Sequence, residues 1–340
     1  MKAVQIVKPC EVKLVDIPIP EIAHPDDVLI KVHYAGICGS DLHILHGSNP
    51  FATYPRVFGH EMSGEVAGVG TGVGDLNPGD HVILEPITYC GECYACTHGE
   101  PNVCAHLKVS GVHVDGAAAE YVLTKRRHAH KISKDVPWEK ATLTEPLTIG
   151  SQACERGRVG KDDIVMICGA GTIGLCVLVN AILRGARCLI TDIVDEKLEY
   201  AKKLGAELAV NVKNEDAWEK ASIFAGEQGV NVFIDAVGST AVVEQALEAL
   251  SPAGRIVCLG FGTERISVPF LSITKKQAEI VGSRLQSGQF PPTISRLEKG
   301  LFPVDDFVSR VFPLDEAQAA FDYAVNNNGK YRKILIKVCD

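Results

Sequence analysis

The chain has 340 residues, 46% of them hydrophobic and 22% charged, with a formal net charge of −8. That length favours two domains over one core, and the composition excludes a disordered chain. The acidic balance argues against non-specific nucleic-acid binding. Twelve cysteines are present, but they are not paired along the chain as a disulfide framework would be. Cys168, Cys176, Cys188 and Cys258 lie in apolar runs, where cysteine behaves as a small hydrophobe. No signal peptide is evident, so a reducing cytoplasm is the expected compartment. All eleven histidines fall between His24 and His130, which places polar, metal-dependent work in the N-terminal half.

Two short motifs come first: Gly36-Ile-Cys38-Gly39-Ser40-Asp41-Leu-His43 and Gly59-His60-Glu61. A third, Glu145-Pro146, precedes the second half of the chain. Cysteine, histidine and carboxylate make up the ligand set of a catalytic zinc, with three protein ligands and one open position. Each residue also has a plainer reading. Cys38 fits core packing, His60 a turn, and Glu145 a helix start beside its proline. Spacing alone leaves these alternatives open. The run Gly68-Val-Gly70-Thr-Gly72-Val-Gly74 is glycine-rich but never places glycines at i, i+2 and i+5; it is expected to be a turn between strands.

Next comes Cys90-Gly-Glu-Cys93-Tyr-Ala-Cys96, followed after seven residues by Cys104. The spacing C-x2-C-x2-C-x7-C lets one loop fold back on a single tetrahedral ion, and thiolates are soft ligands that zinc accepts. Gly91, Gly99 and Pro101 break helix and strand, which supports a loop. The competing reading, two disulfides in a secreted module, suits neither the length nor the missing leader. A site closed by four cysteines leaves no position for substrate, so chemistry must lie elsewhere. Lys125-Arg126-Arg127 reads as a solvated turn.

From about Lys161 the rhythm changes to apolar strands alternating with helices. Strands are expected at Ile164–Cys168, Cys188–Thr191, Leu208–Asn211, Asn231–Asp235, Arg255–Leu259 and Glu279–Ser283. A helix from Asp195 to Leu204 is stopped by Gly205. This alternation predicts an α/β fold with a doubly wound parallel sheet. Ile164 to Leu183 is nearly all apolar and of membrane length, but three glycines interrupt it, and a buried strand, turn and helix explain it better than a span.

The turn reads Gly169-Ala-Gly171-Thr172-Ile173-Gly174, between a strand and an apolar helix, with Asp192 ending the next strand. That context is the dinucleotide fingerprint. Gly169 permits the turn, Gly171 lets backbone approach a pyrophosphate, and Gly174 packs helix on strand. The helix N-terminus offers N–H groups to the phosphates. Asp192 should accept from the adenosine ribose and repel a 2′-phosphate, which favours NAD over NADP. Lys197 either adds a ribose contact or is a solvated helix lysine.

These motifs, in this order and over essentially the whole chain, resemble the zinc-dependent medium-chain dehydrogenases. Within that family the polyol and sugar-acid branch is most similar, the branch of sorbitol, L-threonine 3- and hexonate 5-dehydrogenases. The resemblance implies a GroES-like, mostly-β catalytic domain from residues 1–149 and 285–340 and a Rossmann NAD-binding domain at 150–284. It implies two zinc ions per chain and one NAD. Cys38 and His60 would hold the catalytic zinc with Glu145 or Glu61, and Cys90, Cys93, Cys96 and Cys104 the structural one. Liver-type enzymes place a cysteine where this chain has Glu145. Ser40 would relay the substrate proton to His43 and solvent, with Asp41 bracing the turn. Phe51 is either a pocket wall or a loop anchor; His113 and Arg284 fall near the family's substrate regions, where an arginine suits a carboxylate or instead touches cofactor or a partner subunit. The expected substrate is a small molecule, best a hexonate such as L-gulonate or L-galactonate oxidised at C5, then a neutral polyol, then L-threonine. No nucleic acid or membrane partner is expected, and the assembly would be a homodimer or homotetramer. Zinc-free, non-catalytic members of the superfamily lack the ligand set that this chain keeps.

Overall fold

The computed structural model describes residues 1–260, 262–327 and 330–339. The chain forms two compact units, Met1–Glu145 with Phe290–Asp340, and Pro146–Gln289. The divisions lie at 145/146 and 289/290, where the sequence suggested 149/150 and 284/285. The second is set by the helix Phe290–Glu298, whose Phe290, Ile294 and Leu297 are buried. Phe290 stacks on His130 with ring centroids 4.9 Å apart, and Glu298 accepts the Ser133 N–H, so this helix belongs with the first unit.

The centre of the first unit is the eleven-residue strand Asp27–Ile37. Val28, Ile30 and Val32 are fully buried and alternate with half-buried Leu29 and Lys31, the period-two pattern of a sheet with one covered face. Along one edge it pairs antiparallel with Glu61–Val69. Along the other it pairs first with Tyr121–Lys125 and then, from Tyr34 to Ile37, with Lys333–Lys337. Both neighbours near its C-terminal end run antiparallel to it. Their first residues, Glu61 and Lys333, therefore converge where the central strand stops. The sheet continues through His81–Leu84 to Ala129–Lys131 on one side and Val308–Pro313 on the other. The glycine-rich run after Val69 connects antiparallel strands, as expected.

The second unit is a six-stranded parallel sheet in the order Leu208–Asn211, Arg187–Asp192, Ile164–Cys168, Val230–Asp235, Leu250–Cys258, Glu279–Gly282. Numbered along the chain this is 3-2-1-4-5-6, the order of a dinucleotide-binding sheet with its crevice where the order reverses. Every expected strand is present, and only the fifth begins much earlier, at Leu250 rather than Arg255. The helix Asp195–Lys203 ends at Leu204, and Gly205 follows with φ of +105°. Ile164–Leu183 resolves into strand, glycine turn and helix. Among the described residues no helix is long and apolar enough to cross a membrane.

Candidate active site

Cys38 follows the central strand directly and caps the helix Gly39–Leu45. The Cys38 N–H donates to Asp41 Oδ2 at 2.8 Å, so Asp41 braces the turn, as the sequence suggested. The ligand atoms of Cys38, His60 and Glu61 all lie within 4.8 Å of one another. Gly36 pairs with Glu61 across the strands, and a Cβ there would lie 2.0 Å from Glu61 Oε2. Only glycine leaves room for that carboxylate.

The electrostatics of this pocket are those of a donor set short of positive charge. Burial pushes the Glu145 carboxyl up to about 7. Burial lowers the basicity of His60, but Cys38, Asp41 and Glu145 together outweigh it and hold the ring well above its ordinary pKa. His60 Nδ1 is buried without a hydrogen-bond partner, 3.9 Å from Asp41 Oδ1. A sulfur, a ring nitrogen and carboxylate oxygens crowded into a buried pocket fit a divalent zinc ion. Glu145 stands outside the 4.8 Å set, and Glu61 is the carboxylate inside it.

One buried partner of the site was not visible in the sequence. Lys333 is 1% exposed, and its ammonium donates to Glu61. Burial alone would discharge it, yet the Glu61 carboxylate reverses this and holds Lys333 above its ordinary pKa. No local motif marks this residue, because only strand register brings it to the site.

Ser40 Oγ is buried without a hydrogen-bond partner. His43, three residues on and so on the same helix face, is exposed, and its Nδ1 lies 3.0 Å from Ser48 Oγ. Phe51 and His113, both expected near substrate, are brought together with ring centroids 5.6 Å apart and stacked at 29°. Phe51 remains 52% exposed. Arg284 belongs to the other unit, just after the strand Glu279–Gly282.

The four sulfurs of the cysteine loop lie at the spacing of a tetrahedral site. Sulfur–sulfur distances are 3.4 Å for Cys90–Cys104, 3.6 Å for Cys93–Cys96, 3.8 Å for Cys93–Cys104 and 4.0 Å for Cys90–Cys96. A tetrahedron with zinc–sulfur bonds of about 2.3 Å has edges of about 3.8 Å, whereas a disulfide needs about 2.05 Å. Backbone N–H groups of Cys96 and Ala105 pull the Cys93 thiol down to about 6, while burial pushes Cys96 up to about 12. Four adjacent thiols cannot all ionise unaided, and a bound dication removes that conflict.

In the second unit the fingerprint glycines have the geometry their roles require. Gly169 has φ of +100°, and a Cβ at Gly174 would lie 1.8 Å from the Gly169 carbonyl oxygen. Nothing lies within 4 Å of a Cβ on Gly171, which caps the helix Thr172–Leu183; this is the open approach a pyrophosphate needs. Asp192 Oδ2 accepts from Ala170 N–H at 2.8 Å, and Oδ1 from Ile193 and Val194 at 2.8 and 3.1 Å. These bonds fix the carboxylate at the strand end. Lys197 Nζ lies 3.6 Å from it with a side chain 14% exposed, so it is not a solvated helix lysine.

A β-unit with a Cys/His/Glu donor set and a four-cysteine loop, joined in one chain to a dinucleotide sheet, defines the zinc-dependent dehydrogenase class. Family models for the alcohol dehydrogenase GroES-like domain and the zinc-binding dehydrogenase match residues 24–134 and 172–299. The starvation-sensing protein RspB of Escherichia coli is 37% identical over 99% of both chains. Sorbitol dehydrogenase of Bacillus subtilis is 31% identical over 99% of this chain and 97% of its own, and L-threonine 3-dehydrogenase of Pyrococcus abyssi 35% over 98% of each. Among solved structures, rspB from E. coli CFT073 complexed with NADH superposes with a TM-score of 0.93, at 35% identity and 99% coverage of both chains. The chain therefore belongs to the zinc-binding medium-chain alcohol dehydrogenase family and is an oxidoreductase.

Proposed function

We infer that this enzyme oxidises a secondary alcohol of a polyhydroxylated substrate with NAD, and that a hexonate such as L-gulonate or L-galactonate, oxidised at C5, is the preferred one. The observation that carries the reading is the clustering of half-buried Cys38 with buried His60 and Glu61 at the start of the helix that bears Ser40 and His43. Cys38, His60 and Glu61 would hold the catalytic zinc with Glu145 beside them, and Cys90, Cys93, Cys96 and Cys104 the structural one. When bound, zinc supplies Lewis acidity toward the alcohol oxygen and NAD an acceptor for the hydride. Ser40 Oγ takes the hydroxyl proton, and His43 passes it to solvent. Phe51, His113 and Arg284 are the candidate substrate residues. A neutral polyol is the second reading, favoured by the sorbitol dehydrogenase relative. The twelve free cysteines support a reducing, cytoplasmic setting, and a homodimer or homotetramer is the assembly to test by sedimentation.

The test is NADH appearance with L-gulonate, L-galactonate, L-idonate, sorbitol, galactitol and L-threonine. A hexonate should be preferred by at least about tenfold in kcat/KM, roughly 1.4 kcal/mol of transition-state binding. Equal or better turnover of sorbitol rejects the hexonate in favour of the polyol.

NAD selectivity is assigned to Asp192, whose carboxylate opposes a 2′-phosphate. Asp192→Gly with Ile193→Arg should shift the NADP/NAD ratio of kcat/KM by at least about tenfold toward NADP. An unchanged ratio would remove Asp192 as the ribose acceptor.

A further inference from the structure

The helix Gly39–Leu45 is followed by a turn that folds back on it. The backbone N–H groups of Ser48 and Asn49 both donate to the His43 carbonyl oxygen, at 2.9 and 3.2 Å. Gly47 makes this return possible with φ of +73°. Ser48 Oγ is thereby held 3.2 Å from the His43 carbonyl oxygen and 3.0 Å from His43 Nδ1.

A serine hydroxyl has one proton and two lone pairs, whereas a carbonyl oxygen can only accept. The 3.2 Å contact allows the hydroxyl proton to go to the His43 carbonyl, and in that arrangement Ser48 accepts at Nδ1 and Nδ1 carries a proton. In a neutral imidazole the other nitrogen is then bare. We propose that Ser48 is a positioning residue that holds neutral His43 as its Nδ1–H tautomer and so makes Nε2 the basic nitrogen of the ring. The kinetic consequence rests on the reading of His43 as the outlet of the proton relay. A proton arriving at Nε2 gives an imidazolium whose Nδ1–H still donates to Ser48, and its loss from Nε2 to solvent restores the same tautomer. No hydrogen bond at Nδ1 is broken during the cycle. Without Ser48 the exposed ring is free to adopt the Nε2–H form, which has no lone pair at Nε2.

The tautomer is directly observable. In zinc-loaded enzyme labelled with ¹⁵N-histidine, multiple-bond ¹H–¹⁵N correlations at alkaline pH distinguish the two forms, and the His43 signals are those missing from His43→Gln. The wild type should show protonated Nδ1. Ser48→Ala should show mixed tautomers and a kcat about fivefold lower, a fraction of the 10²–10⁴ typical of a positioned acid–base group, with KM for NAD unchanged. Ser48→Thr, which keeps the hydroxyl, should restore both. An Nε2–H tautomer in the wild type, or an unaltered tautomer in Ser48→Ala, overturns the proposal. If the tautomer shifts but kcat does not, the relay reading of His43 fails while the Ser48 assignment stands.

Discussion

Cys38→Ser is expected to lower alcohol oxidation by at least about 10³-fold while NADH binding is unchanged. The hydroxyl of serine is a poorer zinc ligand than a thiolate, because it stays protonated at neutral pH and is hard rather than soft. Zinc should fall from about two ions per chain to about one, since the four-cysteine loop is built from a separate stretch of chain and keeps its own. Fold disruption should be small. Cys38 is only half-buried, and its helix is capped by a box in which the Asp41 carboxylate accepts from the residue 38 N–H and the Cys38 side chain accepts from the Asp41 N–H, a role that a serine oxygen also fills. The cofactor fingerprint from Gly169 to Asp192 lies in the other unit. Metal analysis and NADH fluorescence titration on the same preparation check both halves of the expectation. Retained turnover, or two zincs still bound, would reject Cys38 as a ligand. Loss of NADH affinity would instead mean that the substitution acts through the fold.

What was legible in the sequence is what short-range physics dictates. The six parallel strands announce themselves as apolar runs because a strand covered on both faces has no polar alternation to blur it. The glycine turn is readable because Gly169 and Gly174 answer a backbone angle and a close approach that other residues cannot meet. Cysteine spacing is likewise local, since one loop supplies all four sulfurs. Boundaries were less legible. The strand Leu250–Cys258 pairs with its neighbour at Leu250 and then again only from Arg255, the intervening Ser251-Pro-Ala-Gly254 being a run of turn formers at a shift of register. The division at 289/290 depends on where Phe290 packs, which no breaker residue marks. At the active site the missed residues are those placed by register or by a turn. Lys333 reaches Glu61 across 272 residues of sequence, and Ser48 reaches His43 only because Gly47 turns the chain. Of the two carboxylates that the resemblance left open, Glu61 is the one beside Cys38 and His60, and Gly36 across the sheet has no side chain to exclude it.

The Lys333–Glu61 pair yields the largest expected effect on stability. Both side chains are almost wholly buried, at 2% and 1% exposure, so solvent screens neither charge. Removing one member of a buried ion pair typically costs about 3–5 kcal/mol, because the remaining charge is left without solvent or partner. Lys333→Met keeps the apolar stem and deletes only the ammonium. It should therefore lower the free energy of unfolding by about that amount where no other cation reaches Glu61. A zinc ion held by Cys38, His60 and Glu61 would be such a cation. The destabilisation should thus be small in zinc-loaded enzyme and near the full value in a Cys38→Ser background, which lacks only that ion. Adding Glu61→Gln to Lys333→Met should recover most of the loss, since a neutral amide no longer needs a counter-charge, and the non-additivity measures the pair directly. Urea unfolding of the four proteins, in both backgrounds, supplies the numbers. Equal losses in the two backgrounds would show that Glu61 does not share its charge with the metal, and would move the carboxylate ligand to Glu145.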